Sequence, residues 1–252
     1  TRTLTATLSD AFGNVVTDDD TSVVAFTQSG AGGVSFPPNA DDSQSVTVAS
    51  GVASATITGA TPGSVDLTAT VSGSSPAVDD SVSLTVVAGT PAKLSLTQNA
   101  STPSSAGEVF GTQPKVTVLD ANDNPVTTDD STVVTVGVSS GGTLLGDDTA
   151  QAVNGVVTFT DLGISGAPGS YTLTFSAPGL GNVTQLVVVE FGAAASLNLA
   201  NSASGATYGS AFTVQPVVQV LDAAGNVLTG DDTTVVTAEV KDGSTVLQSV
   251  TA

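Results

Sequence analysis

The sequence predicts an all-β chain made of tandem β-sandwich domains, and three observations carry that expectation. A fifteen-residue phrase occurs three times without a gap, at Asp10–Val24, Asp120–Val134 and Asp222–Val236. Its starts lie 110 and 102 residues apart, and a repeat of about 100 residues is the size of one β-sandwich domain. Apolar residues alternate with Ser and Thr at a period of two over most of the chain, as half-buried strands require. No segment sustains a capped 3.6-residue apolar period, so no long helix is expected.

Within the phrase, Asp, Ala, Asn, Thr, Asp, Asp, Val and Val recur at identical offsets. The chain divides accordingly into residues 1–89, 90–192 and 193–252. The first portion reads as a sandwich without its opening strand, the second as a complete copy and the third as the front part of another. Two or three domains with separate cores fit 252 residues.

In the first copy, Leu4, Ala6 and Leu8 alternate with Thr3, Thr5 and Thr7. Phe12-Gly13-Asn14 makes a turn, because Gly and Asn tolerate positive φ. Val24 and Phe26 share one face of the next strand. Asp41-Asp42-Ser43 marks a loop. Val46 and Val48, then Ala53, Ala55 and Ile57, form two strands across the turn at Ser50-Gly51. Pro62-Gly63 is a turn signal, after which Val65, Leu67, Ala69 and Val71 alternate again. A connection from Ser72 to Asp80 leads to a last strand carrying Val82, Leu84 and Val86. The small residues and Pro of Ala88-Gly89-Thr90-Pro91 suit a short linker.

The complete copy opens with Lys93-Leu94-Ser95-Leu96, matched later by Ser196-Leu197-Asn198-Leu199. Val116 and Val118 correspond to Ala6 and Leu8, and Val134 and Val136 to Val24 and Phe26. Asn154-Gly155, between Val153 and Val157, is a two-residue hairpin signal. Pro168-Gly169-Ser170-Tyr171 matches Pro62-Gly63-Ser64-Val65, and Leu173 and Phe175 follow with strand alternation. Leu186 to Val189 close the copy. About seven strands with turn signals every 8 to 12 residues form the sandwich pattern. In the third copy Phe212, Val214, Val218 and Val220 lead into the Asp222 phrase. A half sandwich leaves an apolar face wet, so the plainer expectation is a window cut from a longer array. Completion of the broken repeats by another chain, through donation of an opening strand, is the alternative.

Four basic residues face 23 acidic ones, for a net charge of −19. Such a surface repels nucleic acid and anionic membranes. It favours solubility, or a salt- or calcium-rich extracellular setting. Cys and His are absent, which removes Ser–His and Cys–His nucleophiles and the usual zinc ligands. No apolar run approaches the ~18 residues of a membrane-spanning helix, and Thr1 begins inside a strand pattern without a signal peptide. Aromatics are 4% of the chain, so Val, Leu and Ala must build the cores.

The phrases Gln113-Pro-Lys-Val-Thr-Val-Leu-Asp-Ala-Asn-Asp-Asn-Pro-Val-Thr, Gly155-Val-Val-Thr-Phe-Thr-Asp-Leu and Pro168-Gly-Ser-Tyr-Thr-Leu-Thr-Phe resemble the immunoglobulin-like repeats of bacterial surface proteins, the invasin/intimin-type group. Gln215-Pro-Val-Val-Gln-Val-Leu-Asp repeats the first of them. The resemblance implies immunoglobulin-like sandwiches, an extracellular cell-surface location, and a stalk, adhesin or filament in which neighbouring domains of one chain, and identical chains in a filament or lattice, are the partners. Two functions follow as expectations: a structural rod, or an adhesin segment binding a glycan or protein through its loops, such as those at Asp41-Asp42 and Asp147-Asp148. The shortage of Trp and Tyr counts against sugar stacking. An enzyme is not expected, because no paired acid and base can be named.

No catalytic, cofactor-binding or metal-binding residues are assigned. The pairs Asp19/Asp20, Asp129/Asp130 and Asp231/Asp232 have two readings: ligands for calcium, which takes several carboxylate oxygens from one loop, or caps that bond nearby backbone amides. Their spacing does not match an EF-hand loop. Asp10, Asp120 and Asp222 read as residues that hold their own turns. Tyr171 reads as core packing, with a corner hydrogen bond as the alternative. Asn99 and Asn182 head glycosylation triplets. Lys93, Lys115 and Lys241 do not recur between copies, which argues against a repeated isopeptide cross-link.

Overall fold

Val- and Thr-rich segments of alternating pattern become strands throughout, and no described residue is helical. The computed structural model describes residues 1–38, 41–73, 78–242 and 244–251. The first repeat contributes β1 (Arg2–Thr7), β2 (Val23–Gly30), β3 (Gly33–Ser35), β4 (Ser43–Thr47), β5 (Val52–Thr61), β6 (Gly63–Val71) and β7 (Asp79–Val86). The second contributes β8 (Lys93–Gln98), β9 (Ser104–Ser105), β10 (Glu108–Val109), β11 (Lys115–Leu119), β12 (Val133–Val138), β13 (Gly142–Leu145), β14 (Thr149–Gln151), β15 (Val156–Thr158), β16 (Gly163–Gly166), β17 (Gly169–Ser176) and β18 (Val183–Glu190). The third contributes β19 (Ser196–Asn201), β20 (Val217–Leu221), β21 (Thr237–Asp242) and β22 (Thr245–Thr251).

The chain forms two compact units. One is Thr1–Ala92 with Leu119–Thr128; the other is Lys93–Val118 with Asp129–Ala252. The first sandwich stacks the sheet β1-β5-β3 on β4-β2-β6-β7. The sides of the strands that face each other carry Val24, Phe26, Val34, Phe36, Ala53, Ala55, Ile57, Val65 and Leu67, all buried in one cluster. Each fully buried Val or Leu contributes roughly 1.5–3 kcal/mol relative to exposure. The alternation assigned from sequence to Val24/Phe26 and Val65/Leu67 is the alternation seen.

The second sandwich is more divided than a seven-strand pattern. Its layers are β14-β12-β17-β18-β9 on one side, and β15-β11-β8 with β10-β16-β13 on the other. Val116, Val118, Val134, Val136, Val157, Leu173, Phe175 and Val187 are buried between them. The rings of Phe159 and Phe175 lie 5.7 Å apart at 52°, a tilted pairing that aromatic quadrupoles favour. Within the run Leu186 to Val189, Val187 and Val189 face inward while Leu186 and Val188 face solvent, as a pleated strand requires.

One sequence expectation changes. The Asn154-Gly155 turn does not join a paired hairpin. Asn154 (φ 50) and Gly155 (φ 75) adopt the left-handed conformation that a primed turn needs. Only the bridge Val153↔Val156 forms across it. β14 then pairs with β12 and β15 with β11, in opposite layers. Ser50-Gly51 does the same between β4 and β5, across Ala49↔Val52. The partner strands lie in different sheets, so the turn steps between layers. β7 begins at Asp79, inside the expected Ser72–Asp80 connection, part of which lies outside the described residues.

The third repeat shows two strand pairs, β19-β20 and β21-β22. Leu197, Leu199, Phe212, Val217 and Val218 are exposed.

Candidate functional site

Every copy of the repeated phrase follows a strand, β1, β11 or β20, and opens with an Asp. That carboxylate folds back on the loop it starts. Oδ1 of Asp120 accepts the amides of Asn122 and Asn124, both at 2.9 Å. Oδ1 of Asp10 accepts Phe12 and Asn14 at 2.9 Å each, and Oδ1 of Asp222 accepts Ala224 at 3.0 Å and Asn226 at 2.8 Å. The invariant Asn of the phrase closes the loop from the other side. Its Nδ2 donates to Oδ2 at 3.1 Å in Asn14, 3.1 Å in Asn124 and 2.9 Å in Asn226. These are Asx-type turns that recur because the loop recurs.

A second set of donors was not foreseen from the sequence. The linker amide of Gly89 donates to Oδ2 of Asp120 at 2.8 Å, and that of Gly192 donates to Oδ2 of Asp222 at 3.1 Å. The Asp side chain therefore ties its own turn to the linker that precedes its repeat. Asp120 and Asp222 are 2% and 1% exposed, and Asp10 is exposed. At the second junction, Asn226 Nδ2 also donates to the carbonyl of Gly166 at 2.8 Å. A Cβ on Gly107 would come within 2.9 Å of the Ala224 nitrogen, so only glycine permits that approach. The available signal was a glycine in each linker, 31 and 30 residues before the Asp; the period-two pattern that locates strands is blind to it.

Charge-assisted hydrogen bonds favour the ionised carboxylate. The Gly89 amide, followed by that of Asn124, holds Asp120 down to about 2 from 3.8. For Asp222, burial pushes upward, but Asn226, Gly192 and Ala224 outweigh it and the net direction is down. Asp10 is lowered by Asn14 and Phe12.

The Asp-Asp pairs divide their labour. Asp19 Oδ1 accepts the amides of Thr21 and Ser22; Asp129 Oδ1 accepts those of Ser131 and Thr132; Asp231 Oδ1 accepts those of Thr233 and Thr234. The second Asp reaches the layer-stepping turn: Asp20 Oδ1 takes the amide of Ser50 at 2.7 Å, and Asp130 Oδ1 that of Asn154 at 2.6 Å. The other oxygen of Asp129 and of Asp231 is buried without a hydrogen-bond partner. Among the described residues no three His, Cys, Asp or Glu side chains converge as a group able to hold a metal ion.

The remaining sequence candidates are scattered. Tyr171 is buried and its hydroxyl donates to the Ala167 carbonyl at 2.6 Å, so core packing and a corner hydrogen bond coexist. Asp42 accepts Gln28 Nε2 at 2.8 Å, and Asp147 donates its amide to Asp161 at 3.3 Å. Asn99 and Asn182 are exposed. Among the described residues no helix is long and apolar enough to cross a membrane.

No family model and no curated protein matches the sequence. Solved structures do. A Yersinia pseudotuberculosis InvD structure is 21% identical, over 90% of this chain and 66% of that one, with a TM-score of 0.45. The D0-D1 domain of Intimin is 22% identical, over 74% of this chain and 88% of that one, with a TM-score of 0.27. A Parabacteroides merdae β-glucuronidase is 16% identical, over 67% of this chain, with a TM-score of 0.32; the matched part spans 20% of that enzyme's chain. Among the described residues the chain is all-β, and its first two repeats are each a sandwich of stacked sheets.

Proposed function

We propose that this chain is a structural segment of an extracellular bacterial surface protein, in which successive immunoglobulin-like repeats are fastened into a semi-rigid rod. The observation that carries this reading is the clasp from Gly89 to Asp120 and from Gly192 to Asp222. A free tether leaves its linker amides to water. Here the linker amide is held by a buried carboxylate at both junctions. Each clasp also orders the loop that opens the phrase, because the same carboxylate accepts that loop's own amides. Repeats that interact with nearest neighbours are the physical basis of extended arrays. The acidic surface keeps such a rod soluble and opposes indiscriminate lateral adhesion.

The test uses spin labels on Thr27→Cys and Thr135→Cys, in a chain that has no other cysteine. The wild-type background is expected to give a narrow distance distribution that broadens when Asp120→Ala is added. Equal breadth in both backgrounds sinks the rod reading. Electron microscopy of the source cell surface then separates stalks from ordered filaments.

A further inference from the structure

The two-residue turn that steps between layers is held the same way in the first two repeats. In the first, Asp20 Oδ1 accepts the amide of Ser50 at 2.7 Å, and the next amide, Gly51, donates to the carbonyl of Asp19 at 3.1 Å. In the second, Asp130 Oδ1 accepts the amide of Asn154 at 2.6 Å, and Gly155 donates to the carbonyl of Asp129 at 2.8 Å. Val153 and Val156 close that turn with two backbone bonds, of 2.9 and 3.0 Å. Both amides of the turn are therefore held by the preceding Asp pair. Ser50 and Asn154 share the left-handed backbone, at φ 52 and φ 50. What differs is the side chain, and Asn154-Gly155 is the one Asn-Gly pair in the sequence.

An Asn followed by Gly carries its own electrophile and nucleophile. Bonding of the Gly155 nitrogen to the side-chain carbonyl carbon of Asn154 closes a five-membered ring, and Gly has no Cβ to hinder the approach. Asn154 is exposed, so water and base reach its side-chain amide. Two features of the folded turn oppose the reaction. The Gly155 nitrogen attacks only after giving up its proton, and that proton is engaged by the Asp129 carbonyl. The Asp130 carboxylate sits on the adjacent amide, where one negative charge disfavours a second.

We propose that Asn154 is a site of spontaneous, enzyme-free modification, latched by Asp129 and Asp130 and released whenever the layer-stepping turn opens. In the open turn the Gly155 nitrogen bonds to Asn154 Cγ, the Cγ–Nδ2 bond breaks, and Nδ2 departs as ammonia with the proton from Gly155. Water then opens the resulting succinimide at either carbonyl. One opening leaves an aspartyl linkage; the other leaves an isoaspartyl linkage, in which the main chain runs through the side-chain carbon. No electrons are transferred, and water is the co-reactant. Either product puts a new carboxylate close to that of Asp130, where like charges repel. The isoaspartyl product also lengthens a turn whose two strands are paired in opposite layers. The latch does not re-form, so the change runs one way. Ser50 has no side-chain amide, so the first repeat keeps the same latch without the chemistry. This inference does not depend on the linker clasps.

The test is peptide mapping by mass spectrometry, with isoaspartyl groups detected by enzymatic methylation, on the whole chain held in warm, mildly alkaline buffer. In denaturant Asn154 is expected to be the first Asn converted. In the folded chain its conversion should be at least ~tenfold slower, because it waits on local opening. Asp130→Ala removes the acceptor for the Asn154 amide and should raise the folded rate at least ~tenfold. Asp20→Ala makes the same cut at Ser50 and should leave the Asn154 rate unchanged. Thermal melts separate local release from global unfolding. If Asp130→Ala does not fold, Asp130→Asn replaces it: an oxygen acceptor remains without the charge, and a smaller acceleration is expected. Asn154→Ser should abolish the isoaspartyl signal from this turn. Equal rates in the folded wild type and in the folded Asp130 variant overturn the proposal. So does a folded rate equal to that in denaturant, or conversion of another Asn ahead of Asn154 in denaturant.

Discussion

The amide of Gly89 and the Oδ2 oxygen of Asp120 lie 2.8 Å apart, and the Gly192–Asp222 pair repeats the relationship at 3.1 Å. Replacing Asp222 with Ala removes the acceptor for Gly192, Ala224 and Asn226 together. A fully buried donor left unsatisfied costs about 1–3 kcal/mol, and these half-buried amides set a smaller loss. Amide hydrogen exchange at Gly192 is expected to quicken at least ~tenfold, because local opening then needs less free energy. Asp120→Ala should do the same at Gly89. Unchanged protection would mean that the linkers are held by something else.

Acid should act on these loops before it acts on the cores. Asp19, Asp120 and Asp231 are each held down to about 2 from 3.8. A carboxylate whose folded pKa is depressed contributes stability that is complete above its unfolded pKa and is lost as pH falls through the folded one. Melting temperature is therefore expected to stay level from neutral pH to about pH 5 and to fall between about pH 4 and pH 2. Thermal melts across that range test the expectation. In Asp120→Ala the decline should be shallower.

Calcium is expected to leave the melting temperature unchanged. One oxygen of each leading Asp is occupied by two backbone amides, and the second Asp of the first two pairs points to a different turn. Melts in millimolar calcium and in excess chelator check this. A clear rise with calcium would identify the unpartnered oxygens of Asp129 and Asp231 as cation ligands.

Phe175→Ala should be the most damaging of the simple core truncations. Phe175 is fully buried and meets the ring of Phe159. Large-to-small changes at such sites cost about 3–5 kcal/mol, and denaturant unfolding would read it. Tyr171→Phe keeps the ring but loses the bond to the Ala167 carbonyl, for about 1 kcal/mol.

How far the residue pattern carried can be seen in particular places. Val24, Phe26, Val65 and Leu67 are buried where alternation put them, because period-two burial is a local property of the strand. Asn154-Gly155 signals a two-residue hairpin in the sequence, whereas in the structure its turn is a step between layers. The turn sets local backbone geometry, whereas the partner of each strand is chosen by edges tens of residues away. The clasps were invisible for a related reason: a backbone amide donor leaves no mark in the residue code, and any residue except Pro supplies one. The short covering strands β9 and β10, two residues each, are below the length at which alternation can be recognised.

The donors to the leading Asp have a consequence for how such a chain can change length. Most of the partners of Asp120 and Asp222 are main-chain amides, and the Asn that completes each loop travels in the same phrase. A segment duplicated or deleted in whole periods brings its own acceptor and finds a donor in whatever small linker it lands behind. No side-chain pair has to be re-matched across the new seam. Array length can therefore drift by recombination within the gene, one cassette at a time, with each product able to fasten its own joints.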